Sequence, residues 1–464
     1  MSGHSLPRPD LAGTRVCVAG AGVAGSSAAR ALTGLSAEVV TADRSDGTDR
    51  DLPAGTELVV TSPGWRPDQP LLVAAAAAGV PVWGDVELAW RLRPAGQVWL
   101  GVTGTNGKTT TVQMLESILR TAGLRAVACG NIGLPVIDAV LADDPHDVLA
   151  VEVSSFQLHW MRTVEFRAAA VLNIAPDHLD WHGSMAAYAA AKASIWRGVW
   201  YGIYNADDPL VVELAAGLED CQDFTLGPID RHCLGVDGDV LLDMCYGLAP
   251  EETRFRHRGD SGVEGALLAR LSDVRPLAPH NVANALAAAG LARALALDGV
   301  HRVPLPAISA GLRAFTPGGH RIATVGTRRG VTYVDDSKAT NPHAAAASLA
   351  AFDSVVWIAG GLAKGARFDE LVIGAAGRLS GVVLLGQDRA LVAQALARHA
   401  PQIPVVEVTR TDTGAMDDVV RAAAGLAQPG DTVLLAPACA SMDMFRDYAA
   451  RGDAFADAVR RLDP

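Results

Sequence analysis

The run Gly104-Thr105-Asn106-Gly107-Lys108-Thr109-Thr110 constrains this chain more than any other stretch. It follows Val98-Trp99-Leu100-Gly101-Val102, an apolar run of strand length. It precedes Val112, Leu115, Ile118 and Leu119, which recur at helical spacing. A strand, a glycine turn ending in Lys-Thr and then a helix make a phosphate-binding loop. Its backbone N–H groups and the helix N-terminus cradle phosphates, Lys108 meets the outer ones, and the Thr109 hydroxyl reaches Mg²⁺. ATP-driven chemistry is therefore the leading expectation. The glycine spacing departs from the common pattern, since Gly101 leaves five residues and Gly104 leaves two before Gly107. A helix-capping loop is the plainer alternative.

A second glycine turn lies near the start. Residues 15–19 read as a strand, Gly20-Ala21-Gly22-Val23-Ala24-Gly25 follows, and residues 26–35 read as a helix. A strand over 38–41 then ends near Asp43. This is the G-x-G-x-x-G turn that seats a diphosphate on a helix N-terminus. The same turn also serves any tight βα connection, and it does not distinguish NAD, FAD or a UDP-sugar. Residues 58–61 read as another strand, closed by Ser62-Pro63-Gly64 at the end where open α/β sheets bind ligands.

Further strands are expected at 148–153 and 168–174, with short strands and loops over 218–275 and an Ala/Leu helix over 281–297. Beyond these, strands at 331–334, 355–359, 382–385, 405–408 and 433–435 alternate with helical stretches, which implies a parallel sheet. Linkers over 91–97 and 301–306 divide the chain into domains 1–94, 95–302 and 303–464. The expected class is α/β. It comprises a Rossmann-like N-terminal domain, a central P-loop ATPase-like domain with a mostly parallel sheet, and a C-terminal Rossmann-like domain.

Chemistry-bearing residues cluster after the expected strands. Glu152 ends one, where a carboxylate beside a phosphate loop supplies a second Mg²⁺ contact; a carboxylate stabilising a helix N-terminus is the alternative. Asp177-His178-Leu179-Asp180 follows another, and His178 reads either as a metal ligand oriented by an aspartate or as structural. Lys192 reads, on the residues alone, as a solvated lysine. In the last domain, Asp335-Asp336-Ser337-Lys338-Ala339-Thr340-Asn341 suits an anionic substrate or an elaborate helix cap. Gly360-Gly361-Leu362-Ala363-Lys364-Gly365 and Pro437-Ala438-Cys439-Ala440-Ser441 follow later strands.

The net charge of −12 argues against a general nucleic-acid surface. Six cysteines without a C-x-x-C pair support neither a zinc site nor a disulfide framework. The longest apolar stretch, 71–83, is too short to span a bilayer, and residues 1–10 carry no signal-peptide pattern. A soluble, cytoplasmic protein without membrane insertion is expected.

Taken together, these motifs resemble the Mur ligase family across nearly the whole chain, from Gly20 to about Phe455. The variant phosphate loop, Gly130-Asn131-Ile132-Gly133-Leu134-Pro135, Glu152-Val153-Ser154-Ser155-Phe156-Gln157 and Asp177-His178-Leu179-Asp180 are similar to its central motifs. Asp336-Ser337-Lys338-Ala339-Thr340-Asn341 and Pro437-Ala438-Cys439-Ala440-Ser441 resemble the D-glutamate-adding member. That resemblance implies ATP-dependent formation of an amide between D-glutamate and UDP-N-acetylmuramoyl-L-alanine through an acyl phosphate, by a monomer, in cytoplasmic peptidoglycan precursor synthesis.

It also implies roles at the matching positions. Gly104, Thr105, Asn106, Gly107, Lys108, Thr109, Thr110, Asn281, Arg321, Asp336 and Lys338 would bind ATP. Thr109 and Glu152 would hold one Mg²⁺. His178 and Lys192, the latter carbamylated by CO₂, would hold a second. Asn131 would touch the reacting groups. Gly20, Gly22, Gly25, Asp43, Arg44 and Ser62 would line the UDP pocket, and Thr340, Lys364, Ser441 and Tyr448 the D-glutamate pocket. Tyr448 stands where some relatives have Phe, and Gly360–Lys364 lacks an acidic residue that some carry.

Overall fold

The computed structural model describes residues 8–229, 233–244, 254–256, 264–297, 299–412 and 414–462. Three sheets organise them. The first comprises β1 (Arg15–Ala19), β2 (Glu38–Ala42), β3 (Leu58–Thr61) and β4 (Val82–Gly84), all parallel, in the order β2-β1-β3-β4. Helices α1 (Val23–Gly34) and α2 (Pro70–Ala77) pack on it, and α3 (Asp85–Leu92) leads out of it. The turn after β1 has to be glycine. Gly20 has φ +106°, and a Cβ there would lie 2.5 Å from Ser62 Oγ. A Cβ on Gly25 would run into the Gly20 carbonyl.

The second sheet has ten strands. Its parallel part runs β6 (Ala126–Gly130), β7 (Val148–Glu152), β5 (Val98–Thr103), β8 (Ala168–Val171), β9 (Tyr201–Asn205), β10 (Cys221–Phe224) and β11 (Cys233–Asp237). Strands β12 (Val240–Asp243), β14 (Glu264–Arg270) and β13 (Arg254–Arg256) extend it antiparallel. Strand β5 is apolar on both faces, as a central parallel strand must be. Its one glycine, Gly101, makes room for the Phe166 ring, whose carbons lie 2.9 Å from where a Cβ would sit.

Around this sheet lie α4 (Lys108–Thr121), α5 (Val136–Val140), α6 (Ser155–Trp160), α7 (Leu179–His182), α8 (Met185–Ala193), α9 (Pro209–Ala215), α10 (Pro279–Ala296) and α11 (Leu305–Ala314). Helix α10 is buried almost all round, consistent with its alanine-rich composition. Helix α11 lies along α4. The Ser117 hydroxyl donates to the Gly311 carbonyl at 2.7 Å, and a Cβ on Gly311 would meet the Ile118 backbone at 2.5 Å.

The third sheet has the order β15-β16-β20-β17-β18-β19. Its strands are β15 (Ala323–Arg328), β16 (Val331–Asp335), β17 (Val355–Gly360), β18 (Leu379–Leu385), β19 (Val405–Glu407) and β20 (Thr432–Leu435), and only β15 is antiparallel. Helices α12 (Pro342–Leu349), α13 (Asp369–Ala375), α14 (Arg389–His399), α15 (Ala415–Leu426) and α16 (Tyr448–Arg460) flank it. The chain forms two compact units. One takes in residues up to Ile174, His178–Leu277 and Asn281–Phe315, and so holds the first two sheets. The other takes in Ala175–Asp177, Ala278–His280 and the chain from Thr316 onward. Among the described residues no helix is long and apolar enough to cross a membrane.

Most expected elements are present, with informative differences. The strand expected over 168–174 stops at Val171, because the chain turns there and Asn173 goes to the phosphate loop. Strands β6 and β9 were not anticipated, since Ala126-Val-Ala-Cys-Gly and Tyr201-Gly-Ile-Tyr-Asn lack a clear period. Helix α1 begins at Val23, three residues before the expected start. The expected linker over 91–97 begins inside α3, and its Arg93 guanidinium lies 3.3 Å from the Trp90 ring centroid. The five described cysteines, Cys17, Cys129, Cys221, Cys233 and Cys439, are free thiols; Cys245 lies outside the described residues.

Two buried carboxylates join α3 to the second sheet. Glu87 accepts from the Arg162 and Thr163 amides at 2.8 and 3.0 Å, the Thr163 hydroxyl at 2.6 Å and Arg91 at 2.8 Å. Asp85 accepts from the Gln157 amide at 2.8 Å on one oxygen, and its other oxygen is buried with no hydrogen-bond partner among the described residues. Burial pushes its carboxyl up to about 6. A carboxyl raised on folding costs stability once the pH exceeds its unfolded value near 4, and the full cost is reached above about 6. Asp85→Asn is therefore expected to raise the melting temperature at pH 8 by several degrees. The gain should shrink toward pH 4, as thermal unfolding across that range will measure.

Candidate active site

Each sheet gathers its reactive residues at the C-terminal ends of neighbouring parallel strands. In the second sheet β6, β7, β5 and β8 are adjacent, so the loops that follow them meet. The loop after β5 is the phosphate loop, and Asn173 after β8 staples it. The Asn173 carbonyl accepts from Thr105 N at 2.9 Å, its side-chain oxygen accepts from Asn106 N at 2.8 Å, and its Nδ2 donates to the Asn106 carbonyl at 3.1 Å. Gly107 caps α4 in a left-handed conformation, φ +84°, and a Cβ there would run into the Asn284 side chain. Asn284 in turn donates to Asn281 at 3.4 Å. Thr110 is buried in the first turn of α4.

Two lysines converge on one carbonyl. Lys108 Nζ donates to Gly104 O and Thr105 O, both at 2.9 Å, and Lys192 Nζ donates to Gly104 O at 2.7 Å. Lys192 is 2% exposed and sits 4.7 Å from the Tyr188 ring centroid, so it is not the solvated lysine that the residues alone suggest. Tyr188 OH lies 3.0 Å from Thr105 Oγ1.

The carboxylate of Glu152, after β7, bridges its neighbours. The Thr109 hydroxyl donates to one oxygen at 2.7 Å, and Asn131 Nδ2, after β6, donates to the other at 3.1 Å. Gly130 is required at the turn before Asn131, since it has φ +109° and a Cβ would run into the Glu152 carbonyl. A buried hydroxyl and carboxylate in contact form an oxygen donor pair that fits a hard divalent cation. Among the described residues no group of three or more His, Cys, Asp and Glu side chains is placed to hold a metal.

His178 stands in the left-handed region at the start of α7, with its ring 4.8 Å from that of Phe156. Beside it, His182 Nε2 lies 2.9 Å from Ser155 Oγ. Burial, then the charges of His178 and Lys192, push His182 down to about 4. His182 thus feels the charges of both residues expected to form a cation site. Arg66 donates to the Asp180 carbonyl at 2.8 Å, tying the first sheet's loops to this corner.

In the first sheet, the loops after β1, β2 and β3 meet in the same way. Asp43 accepts from Ala21 N at 2.7 Å. Hydrogen bonds from Ser45 and from Ala21 hold its carboxyl down to about 2. Gly20 faces Ser62, whose Oγ is buried with no hydrogen-bond partner among the described residues, and Arg44 lies over the Trp65 ring at 5.6 Å. Gly22 caps α1. The structure brings all six expected residues to one rim and adds Trp65.

In the third sheet the loops after β16, β20 and β17 form one rim. Ala438 N donates to Ala339 O at 2.9 Å, and Leu362 and Ala440 exchange backbone bonds at 2.9 and 3.0 Å. Gly361 is needed there, since a Cβ at φ +134° would run into the Ala440 carbonyl. Asp336 is buried, accepts from the Ser348 hydroxyl and is pushed up to about 6 by burial, with Arg321 opposing. Lys338 Nζ lies 5.1 Å from the Tyr448 ring centroid. Tyr448 also takes part through its backbone, its carbonyl accepting from Ser337 Oγ at 2.7 Å. Thr340 and Ser441 lie on the rim, and Lys364 adopts φ +50° beside them.

Arg451, from α16, clamps this rim. It is 1% exposed and donates to Ser337 Oγ at 2.9 Å, Ser337 O at 2.8 Å and Cys439 O at 3.1 Å. Sequence reasoning gave no role to Arg451, Asn173, Asn284, Tyr188 or His182. Their partners lie far away in sequence, although Asn173 opens the run that ends in Asp180, and Tyr188 lies four residues before Lys192.

Residues 102–292 match the Mur ligase middle domain, and residues 320–439 match the Mur ligase, glutamate ligase domain. The chain is 57% identical to the UDP-N-acetylmuramoylalanine–D-glutamate ligase of Thermobifida fusca, over 98% of this chain and 99% of the relative. It is 56% identical to that of Streptomyces avermitilis, over 97% and 98%. Its fold matches the crystal structure of UDP-N-acetylmuramate-alanine ligase MurC from Thermotoga maritima, with a TM-score of 0.59 at 18% identity, covering 96% of this chain and 99% of that one. The chain belongs to the Mur ligase family and groups within it with the UDP-N-acetylmuramoylalanine–D-glutamate ligases.

Proposed function

We propose that the protein joins D-glutamate to UDP-N-acetylmuramoyl-L-alanine with cleavage of ATP to ADP and phosphate, as a cytoplasmic monomer. The observation that carries this reading is the Glu152 carboxylate bridging Thr109 of the phosphate loop to Asn131. It joins a phosphate-binding turn to an amide donor in one buried cluster.

A carboxylate is a poor electrophile, and its phosphate ester is a good one. The L-alanyl carboxylate oxygen attacks the γ-phosphorus, and ADP leaves with the bond's electron pair. The D-glutamate nitrogen then attacks the acyl carbon, loses a proton, and phosphate departs as the amide forms. Most of the catalysis is positioning and charge neutralisation. Lys108 leaves the Gly104 and Thr105 carbonyls for the β- and γ-phosphates. Asn281, Arg321, Asp336 and Lys338 hold the rest of ATP. Gly20, Gly22, Gly25, Asp43, Arg44 and Ser62 seat the UDP end, and Thr340, Lys364, Ser441 and the Tyr448 backbone receive D-glutamate. On this reading 1–94, 95–302 and 303–464 serve the UDP-sugar, ATP and the amino acid.

Thr109 and Glu152 would hold one Mg²⁺, and His178 with Lys192 a second. Bound Mg²⁺ supplies charge neutralisation at the phosphates. A lysine ammonium does not ligate a cation, so the second site fits only if Lys192 carries a carbamate, which presents oxygens and a negative charge. In ¹³CO₂-bicarbonate, the protein is expected to give a carbamate carbon resonance that is absent from Lys192→Ala. Identical spectra would remove Lys192 from the cation site.

The main test is phosphate release with Mg-ATP and UDP-N-acetylmuramoyl-L-alanine, adding D-glutamate, L-glutamate or nothing. Release is expected only with D-glutamate, and Lys108→Ala is expected to lower it by about 10³-fold or more. Release driven by another amino acid would move the acceptor. No release from folded, ATP-binding protein would sink the ligase reading.

A further inference from the structure

A cavity lies in the first unit, away from the phosphate loop. It has a volume of about 640 Å³ and opens between β14, the C-terminal end of α10 and the N-terminal end of α11. From Asn284, at the phosphate loop, to Ala296, at this cavity, α10 rises about 18 Å. The volume suits one small organic molecule.

Its lining runs against the acidic character of the chain. Arg270, Arg293, Arg302 and Arg313 line it, against the single carboxylate of Asp273. Arg293 is neutralised in a buried pair with Asp243 at 2.9 Å. Arg270 meets Asp239 at 2.6 Å and Arg313 meets Asp273 at 3.1 Å, each through one terminal nitrogen. A guanidinium carries five N–H donors, so these single contacts leave donors to spare. Arg302 makes no ion pair among the described residues. Between the cations the wall is apolar, built by the buried side chains of Leu268, Val303 and Leu305.

Guanidinium forks match phosphate and carboxylate oxygens bidentately, and an apolar wall takes a hydrocarbon or ring. We infer that this cavity binds a small organic anion, an oxyanion head on an apolar body, at a site separate from the nucleotide loop. Arg302 and Arg313 grip the head, and the Leu268–Val303–Leu305 wall receives the body.

The test is methyl NMR of the full chain with labelled Leu and Val, titrated with 1-naphthyl phosphate and separately with inorganic phosphate. Saturable shifts are expected at Leu268, Val303 and Leu305, with naphthyl phosphate binding at least tenfold more tightly than phosphate. Arg302→Gln and Arg313→Gln should each weaken it about fivefold or more, with the remaining methyl spectrum unchanged as proof of folding. Three results would overturn the site. These methyls could stay still while others move, both variants could bind as the wild type does, or phosphate alone could match the ester. None of these readouts depends on ligase activity, so the outcome stands apart from the proposed function.

Discussion

Glu152→Gln is expected to lower D-glutamate-dependent phosphate release by about 10²- to 10³-fold while shifting the melting temperature by no more than about 3 °C. The two effects separate because of what Glu152 touches. Thr109 donates to one oxygen and Asn131 to the other. Glutamine keeps the shape and one acceptor, and the threonine hydroxyl can turn to accept from the new NH₂ group. The geometry is therefore largely kept and the negative charge is lost. With that charge goes the hard anionic oxygen a cation needs beside the phosphates. Steady-state phosphate release and calorimetry on the same preparation measure both. A variant that melts much lower would place Glu152 among the structural carboxylates. Wild-type turnover would remove charge from its role.

Arg451→Met is expected to loosen the third sheet's rim by about 2–5 kcal/mol and to raise the D-glutamate KM at least tenfold. Methionine fills similar apolar volume, so the loss isolates three donated bonds to Ser337 and Cys439. Bonds from a charged donor contribute about 1.5–3 kcal/mol each. Against them stands the guanidinium's desolvation, which pushes its pKa down to about 10 and costs on the order of 3 kcal/mol. The bonds win, because the variant also leaves two buried carbonyls without donors. Hydrogen exchange should quicken at residues 437–441 and in α16, while amides 104–110 keep their wild-type rates. Unchanged exchange on the rim would show that the clamp is redundant.

The strand–turn–helix order around Gly104–Thr110 was legible because strand, glycine turn and helix are contiguous and each leaves a local signature. The same holds for the Gly20–Gly25 turn and for the alternation beyond residue 331. Asn173 was not legible as a staple, because its value lies in three bonds to residues 67 or 68 positions earlier, which no local pattern encodes. Lys192 illustrates the limit most sharply. A lysine in Ala-Ala-Ala-Lys reads as a solvated helix residue, yet the fold buries it against the Gly104 carbonyl. Arg451 was missed for the same reason, since an arginine in an ordinary amphipathic helix gives no sign of three partners on two distant loops. The resemblance assigns Lys192 a role that its local sequence does not, because a family pattern carries long-range pairings that composition and spacing lack.

The backbone pairing of Leu362 with Ala440, and of Ala438 with Ala339, has a consequence for engineering. A rim whose loops are pinned to one another by peptide groups does not depend on its own side chains for shape. On the proposed reading, in which Thr340, Lys364 and Ser441 meet D-glutamate, those three side chains are exchangeable fittings on a fixed frame. Retargeting the acceptor would then be a problem of three positions, with Gly361 and Arg451 left alone.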